Sequence, residues 1–312
     1  LMFQKPANIY EHIAANNTKI WALVALFPVA LCVFIYAWFW LFGITMVDPM
    51  ERESFMALFS DTVPWIFGFC LILTLLSLCG GDKMMMAFAG ANPCPLTGEY
   101  RKVYQAVENV ALAAGLPCPK VYLIQDDSLN AFATGYAPKS ASIALTTGII
   151  QKLNALELDG VIAHEMAHIK NRDIRLNMYI ITGIGVLGMV GEILIRSCHS
   201  GRSRNNKNNA GGLLFLLGMA LILFRYLVAP FIHMAISRKQ EFQADATGAY
   251  FTRNPQALAS ALKKIAVDPR VESLDKSGQM AAACIYNPLE KLSGLLDTHP
   301  PVAERIKRLN EM

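Results

Sequence analysis

His164-Glu165-Met166-Ala167-His168 sets two imidazoles four residues apart with a carboxylate between them. On a helix, side chains at i and i+4 share a face one turn apart. The two rings can then converge on one ion while Glu165 stands around the helix toward a water on that ion. The chemistry this offers is that of a hydrolytic metal site: two histidine ligands, a general base and an open coordination position. Such a site needs a third protein ligand. Arg238-Lys239-Gln240-Glu241-Phe242-Gln243-Ala244-Asp245 offers two carboxylates, Glu241 and Asp245, on one helix face. One of them can ligate while the other accepts a hydrogen bond from a ligating imidazole and orients it. Nitrogen and oxygen donors in an open tetrahedral site favour Zn2+, one ion per chain.

The elements that must carry these residues are also legible. Asn154 followed at the third helical position by Glu157 is a capping-box pattern, opening a helix through Gly160, Val161 and Ile162 into His164. Upstream, Val103, Val107, Val110 and Ala114 recur at helical spacing, with Gly115 and Pro117 as stop signals. Residues 121–124, 130–136 and 142–146 read as strands, the last two forming a hairpin about Ala137-Pro138-Lys139. Within it, Asn130, Ala131, Phe132 and Ala133 read as an exposed strand edge ahead of the metal-site helix. An extended polypeptide adds to such an edge through backbone hydrogen bonds, which read little side-chain identity. Of the remaining histidines, His12 and His199 have no ligand spacing, and His233 reads as structural.

Composition places the chain at a membrane. It is 54% hydrophobic and only 17% charged, with a mean hydropathy of +0.35. Residues 20–42 carry no charge and are long enough to cross ~30 Å of hydrocarbon, and residues 63–78 form a second, shorter span. No small-residue cleavage site follows the first run, so it reads as a retained anchor. Acidic residues between the two spans and basic residues outside them put both flanks in the cytoplasm. A later pair of segments, 178–195 and 213–232, is interrupted by Glu192 and Arg225. It either crosses or forms a shallow hairpin, with each charge snorkelling or finding a local partner. Net charge is +4 with no basic block among aromatics, which excludes nucleic acid as the expected partner. Seven cysteines without CxxC spacing give no disulfide framework.

The two N-terminal spans, His164-Glu165-Met166-Ala167-His168, the Glu241 segment ending Ala244-Asp245, and His299-Pro300-Pro301 with Glu304-Arg305-Ile306 together resemble the HtpX family of membrane metallopeptidases, gluzincins related to the CAAX prenyl proteases. The resemblance covers most of the chain in the same order. It implies zinc ligation by His164, His168 and Glu241, with Glu165 as general base and Asp245 behind a ligating imidazole. It also implies that His299 lies near the site, a candidate donor to the tetrahedral oxyanion. A cytoplasm-facing catalytic domain at a bacterial inner membrane follows from the resemblance together with the charge pattern. The implied substrates are unfolded, misfolded or damaged membrane proteins, with self-cleavage among the expected reactions.

The expected fold is α+β and predominantly α, a membrane-anchored zincin-like peptidase with two transmembrane helices, two further candidates and a small β-sheet. Residues 1–19 form a cytoplasmic segment and 20–80 the anchor. Residues 81–176 and 233–312 are the two parts of the catalytic domain, separated by the hydrophobic hairpin 177–232. A CAAX-type processing protease would need about seven spans, and this chain has at most four. A zinc-stabilised scaffold has no need of Glu165, and a zinc transporter needs ligands inside its spans.

Overall fold

The computed structural model describes residues 9–54, 56–57, 60–61, 64–65, 67–69, 71–72, 83, 85–87, 89–200, 210–235, 238–266 and 300–312. The chain divides into two compact units. One comprises Leu1–Asn17, Gly80–Ile181 and Ile232–Met312; the other comprises Thr18–Cys79 and Thr182–Phe231. The fold is mostly helical with one small mixed sheet.

In the first unit, helix α2 (Arg101–Ala114) buries Val103, Val107, Val110, Ala111 and Ala114, so the expected apolar stripe is its core face. Gly115 ends it at φ 68°, the left-handed region that glycine enters without strain. The sheet has four strands, β1 (Asn92–Pro93), β2 (Lys120–Ile124), β3 (Ala131–Thr134) and β4 (Ser142–Thr146), in the order β1-β2-β4-β3. β3 and β4 are the expected hairpin, paired antiparallel from Ala131 opposite Leu145 to Thr134 opposite Ser142. β2 runs parallel to β4, and β1 is antiparallel to β2. A short helix, α3 (Thr147–Lys152), is capped by the Thr146 side chain and leads to α4 (Ala155–Asn171).

α4 is buried on nearly every side. Leu158, Val161, Ile162, Ala163, Met166, Ala167 and Ile169 all belong to the main core, which marks a central helix and not an amphipathic surface one. It packs against α2, β3, α7 (Arg238–Thr252) and α8 (Pro255–Ile265). Its start is the expected capping box: the Glu157 N–H donates to Asn154 Oδ1 at 3.0 Å and the Asn154 N–H to Glu157 Oε2 at 2.9 Å. Glu157 is itself buried and also accepts from Ser260 Oγ and Lys264 Nζ, both at 2.7 Å, tying the start of α4 to α8. Two glycines permit close helix packing. A Cβ at Gly160 would lie 3.0 Å from the Leu258 backbone nitrogen, and one at Gly248 2.9 Å from that of His164. The last helix, α9 (Val302–Asn310), packs on α8 and α7, with Leu309 in the core.

In the second unit, α1 (Ile9–Met46) brings Leu31, Ile35 and Phe39 into a cluster with Leu187 of α5 (Asp173–Ser200) and Ala220, Leu221 and Phe224 of α6 (Ala210–Ala235). α1 contains an apolar stretch, Ala25–Phe42, long enough to cross a membrane. It is the one helix among the described residues that meets this test; the apolar part of α6 is shorter, Leu214–Leu227. Most of the expected second span, 63–78, lies outside the described residues. Helices α5 and α6 run straight through Glu192 and Arg225, because a single charge ends an apolar run without ending a helix. Glu192 pairs with Arg196 at 3.3 Å on an exposed face, and Arg225 fills the space a side chain at Gly188 would occupy.

Candidate metal centre

Helix α4 presents His164 and His168 on one face, with their Nε2 atoms 3.2 Å apart. Helix α7, held close by Gly248, brings Glu241 to them: Oε2 lies 3.6 Å from His164 Nε2 and Oε1 lies 3.5 Å from His168 Nε2. One ligand atom from each of the three lies within 4.8 Å of the others. Tetrahedral ligands about 2.0–2.2 Å from an ion stand about 3.3–3.6 Å apart, so the donor set is close to the size a Zn2+ ion would take. His164 is 0% and Glu241 3% exposed, while the His168 side chain keeps 12% of its surface open.

Each imidazole has its other nitrogen held by a carboxylate. His164 Nδ1 lies 3.0 Å from Asp245 Oδ1, and His168 Nδ1 lies 3.1 Å from Asp173 Oδ2. With Nδ1–H donated in this way, each ring turns its Nε2 lone pair toward Glu241 and the other ring. Asp245 thus faces Nδ1 of His164 while Glu241 faces Nε2. Asp173 was not anticipated: it follows the left-handed break at Arg172 that ends α4 (φ 61°), and nothing in the pattern marks its direction.

Arg305 is the larger omission. It is 1% exposed, and its Nε and Nη2 donate to Asp245 Oδ2 and Oδ1 at 2.8 and 2.7 Å. The signal that could have found it is its place in Val302, Arg305, Ile306, Leu309, where a charge interrupts an i, i+3, i+4, i+7 apolar stripe. A charge on a buried stripe must find a partner inside.

The electrostatics follow from these contacts. Burial would lower His168, but the Asp173 hydrogen bond and the Glu241 and Glu165 carboxylates outweigh it and lift the imidazole to about 9. His164 is also raised: burial lowers it and Arg305 adds to that, but its hydrogen bonds to Asp245 and Glu241 prevail. Burial would raise Asp245, yet the Arg305 guanidinium and His164 bring it down to about 2. Glu165, 2% exposed, is pushed up chiefly by burial; the two imidazoles and a hydrogen bond from the Ala133 backbone N–H oppose this without reversing it.

Thus the structure brings His164, Glu165, His168, Glu241 and Asp245 together. β3 lies at the edge of the sheet, with Ala131, Phe132 and Ala133 buried, and it reaches the site through the Ala133 N–H on Glu165. Asn130, just before the strand, accepts at its carbonyl from Thr146 N–H and at its side chain from Ala131 N–H. His299 lies outside the described residues.

Compared with known proteins, residues 98–312 match Peptidase family M48. The chain belongs to that family. Relatives extend the match to nearly the whole length. A "Protease HtpX homolog" of Bacteroides fragilis (strain YCH46) is 38% identical over 311 residues, 95% of this chain and 96% of that protein. Another "Protease HtpX homolog", of Caldanaerobacter subterraneus subsp. tengcongensis, is 39% identical over 310 residues, 97% of this chain and 98% of that protein. Among solved structures, S. mikatae Ste24p is similar at 20% identity and a TM-score of 0.43, over 97% of this chain and 66% of that one, a likeness too distant to carry an argument. The HtpX resemblance read from the sequence is therefore shown, and this M48 peptidase has a His164, His168 and Glu241 group able to hold a metal ion.

Proposed function

We propose that this M48 peptidase is a membrane-bound, zinc-dependent endopeptidase acting on unfolded segments of misfolded or damaged membrane proteins. The observation that carries the reading is the converging set of His164, His168 and Glu241, with His164 and Glu241 buried and Glu165 on the same helix turn. His164 and His168 would hold zinc through Nε2 and Glu241 through its carboxylate, with Asp245 and Asp173 fixing the imidazoles. When bound, zinc supplies a Lewis acid that polarises the scissile carbonyl and makes water a nucleophile near neutral pH. Glu165 takes the proton of the attacking water at its carboxylate and delivers it to the leaving amine nitrogen. Its burial, which raises its basicity, suits both transfers. His299 is the candidate donor to the tetrahedral oxyanion.

Asn130, Ala131, Phe132 and Ala133 would take the substrate as an added strand, since among the described residues β3 pairs with β4 alone and ends beside Glu165. Backbone pairing suits a peptidase that cleaves many unfolded sequences. The apolar stretch Ala25–Phe42 supports membrane attachment, and the basic flanks of the apolar runs support a catalytic unit facing the cytoplasm at a bacterial inner membrane. The parts of the chain follow: anchor 20–80, catalytic parts 81–176 and 233–312, and hydrophobic hairpin 177–232.

The test compares zinc-loaded, detergent-purified wild type with Glu165→Gln on casein, with bound metal measured in both. Cleavage by the wild type alone at equal zinc is the expected result. Equal zinc with no cleavage by either, or cleavage by both, overturns it.

A further inference from the structure

Among the described residues, the largest side chain that is fully buried is Arg305, a cation whose rivals in size at that depth are Phe, Leu, Ile and Met. Docking of α9 does not explain it. Leu309 is fully buried in the main core, Val302 and Ile306 pack against that core, and the Arg308 guanidinium lies 3.6 Å from the centre of the Phe242 ring. An apolar residue at 305 would complete the stripe, and replacing a buried ion pair by apolar side chains is often neutral or stabilising. The guanidinium must therefore answer a need that packing does not.

Its contacts say which. Nε and Nη2 grip Asp245 as a two-pronged fork, at 2.8 Å to Oδ2 and 2.7 Å to Oδ1. Oδ1 is also the atom that faces His164 Nδ1 at 3.0 Å. Nη1 stands 3.5 Å from Glu241 Oε2, and Nη2 is 3.4 Å from both ring nitrogens of His164. A fork fixes the plane of a carboxylate as well as its charge, which the point charge of a lysine does not. The plane of Asp245 sets the direction in which His164 donates, and hence the direction of its Nε2 lone pair.

We propose that Arg305 is a positioning residue of the metal centre: from the far end of the chain it fixes Asp245 and Glu241 so that His164 and Glu241 face a zinc ion before the ion arrives. This rests on the metallopeptidase reading and extends it, making α9 part of the centre. Arg305 touches no substrate and donates no proton to the reaction; it acts through Asp245, His164 and Glu241.

The experiment uses the full-length protein in detergent and four forms: wild type, Arg305→Met, Arg305→Lys and Leu309→Ala. Zinc affinity is read by competition with a chromophoric chelator, thermal stability without metal, and kcat and KM on casein at saturating zinc. Loss of a residue that orients a metal ligand typically weakens binding 10- to 100-fold, and both Arg305 variants are expected in that range. Leu309→Ala leaves a core cavity and lowers the melting temperature, but its zinc affinity stays within about threefold of wild type, because an apolar side chain makes no hydrogen bond or ion pair to Asp245 or Glu241. At saturating zinc the Arg305 variants lose kcat with KM unchanged.

Zinc bound by the Arg305 variants as tightly as by Leu309→Ala would overturn the proposal and reduce Arg305 to helix docking. Tighter binding, from removal of a competing cation, would overturn it as well, as would full rescue by Arg305→Lys. If Arg305→Met does not fold, Arg305→Lys, which keeps the buried charge, carries the same comparison. Chelator competition is read without turnover, so a wild type that binds zinc but cleaves nothing would sink the peptidase reading and leave this test decisive.

Discussion

The two histidines of helix α4 differ in what stands behind them. His168 leans on Asp173 at 3.1 Å, a residue five positions along the chain and one helix break away. His164 leans on Asp245 at 3.0 Å, which is held in turn by Arg305. The first arm is local; the second joins three helices, α4, α7 and α9. The local arm leaves the imidazole strongly basic, about 9 without metal. In the distributed arm the guanidinium opposes the rise at His164 and holds Asp245 near 2. One histidine is thus set by local sequence and the other by tertiary assembly, so the two should fail differently.

The largest expected effect is in the distributed arm. Asp245→Asn leaves the Arg305 guanidinium buried without its main partner, and breaking a buried pair in this way costs about 3–5 kcal/mol. Asp173→Asn removes a charge-assisted hydrogen bond and should cost about 1–2 kcal/mol. Denaturant unfolding of the metal-free proteins in one detergent measures both, and equal losses would erase the distinction. Arg305→Met placed on top of Asp245→Asn should recover part of the loss, since the stranded charge is then gone.

Next comes the contact that lets α7 approach α4. Gly248→Ala puts a Cβ 2.9 Å from the His164 backbone nitrogen, where no flexible side chain can yield. Overpacking of this kind costs about 1–3 kcal/mol. It should also weaken zinc binding, because displacing α7 moves Glu241 away from both imidazoles. Competition with a chelator checks it; unchanged zinc affinity would mean that the helix spacing does not set the site.

The smallest effect lies at the other end of α4. Burial would raise Glu157, but Lys264, Ser260 and the Asn154 N–H outweigh it and hold its carboxyl below the usual range. A carboxylate depressed on folding contributes stability that is complete above its unfolded pKa, about 4.3, and is lost as pH falls through its lower folded value. Glu157→Gln should therefore cost about 1–2 kcal/mol at neutral pH, a deficit that holds steady above about pH 5.5 and shrinks in acid. Thermal melts across pH measure it, and a deficit that grows on acidification would contradict the assignment.

What the sequence made legible follows the same division. The capping box at Asn154 and Glu157, the helix it opens and the β3–β4 hairpin depend on contacts a few residues apart, and so could be read from spacing. Glu241 and Asp245 could be read as a pair, but which of the two faces the ion depends on packing against α4. Arg305 pairs with a residue 60 positions away, and only its intrusion into an apolar stripe hinted at burial. β1, two residues long, has no period to detect. Helices α5 and α6 run beyond the expected segments 178–195 and 213–232, because hydropathy registers charged and polar residues whereas the backbone hydrogen bonds that define a helix are indifferent to them.

The measurement that bears most directly on the account is zinc K-edge X-ray absorption on the zinc-loaded, full-length protein. The arrangement of His164, His168 and Glu241 predicts two imidazole nitrogens and carboxylate oxygen at about 2.0–2.2 Å, with loss of the oxygen contribution in Glu241→Ala. A sulfur shell at about 2.3 Å, from any of the seven cysteines, or a spectrum unchanged by Glu241→Ala, would place the metal elsewhere and contradict the account.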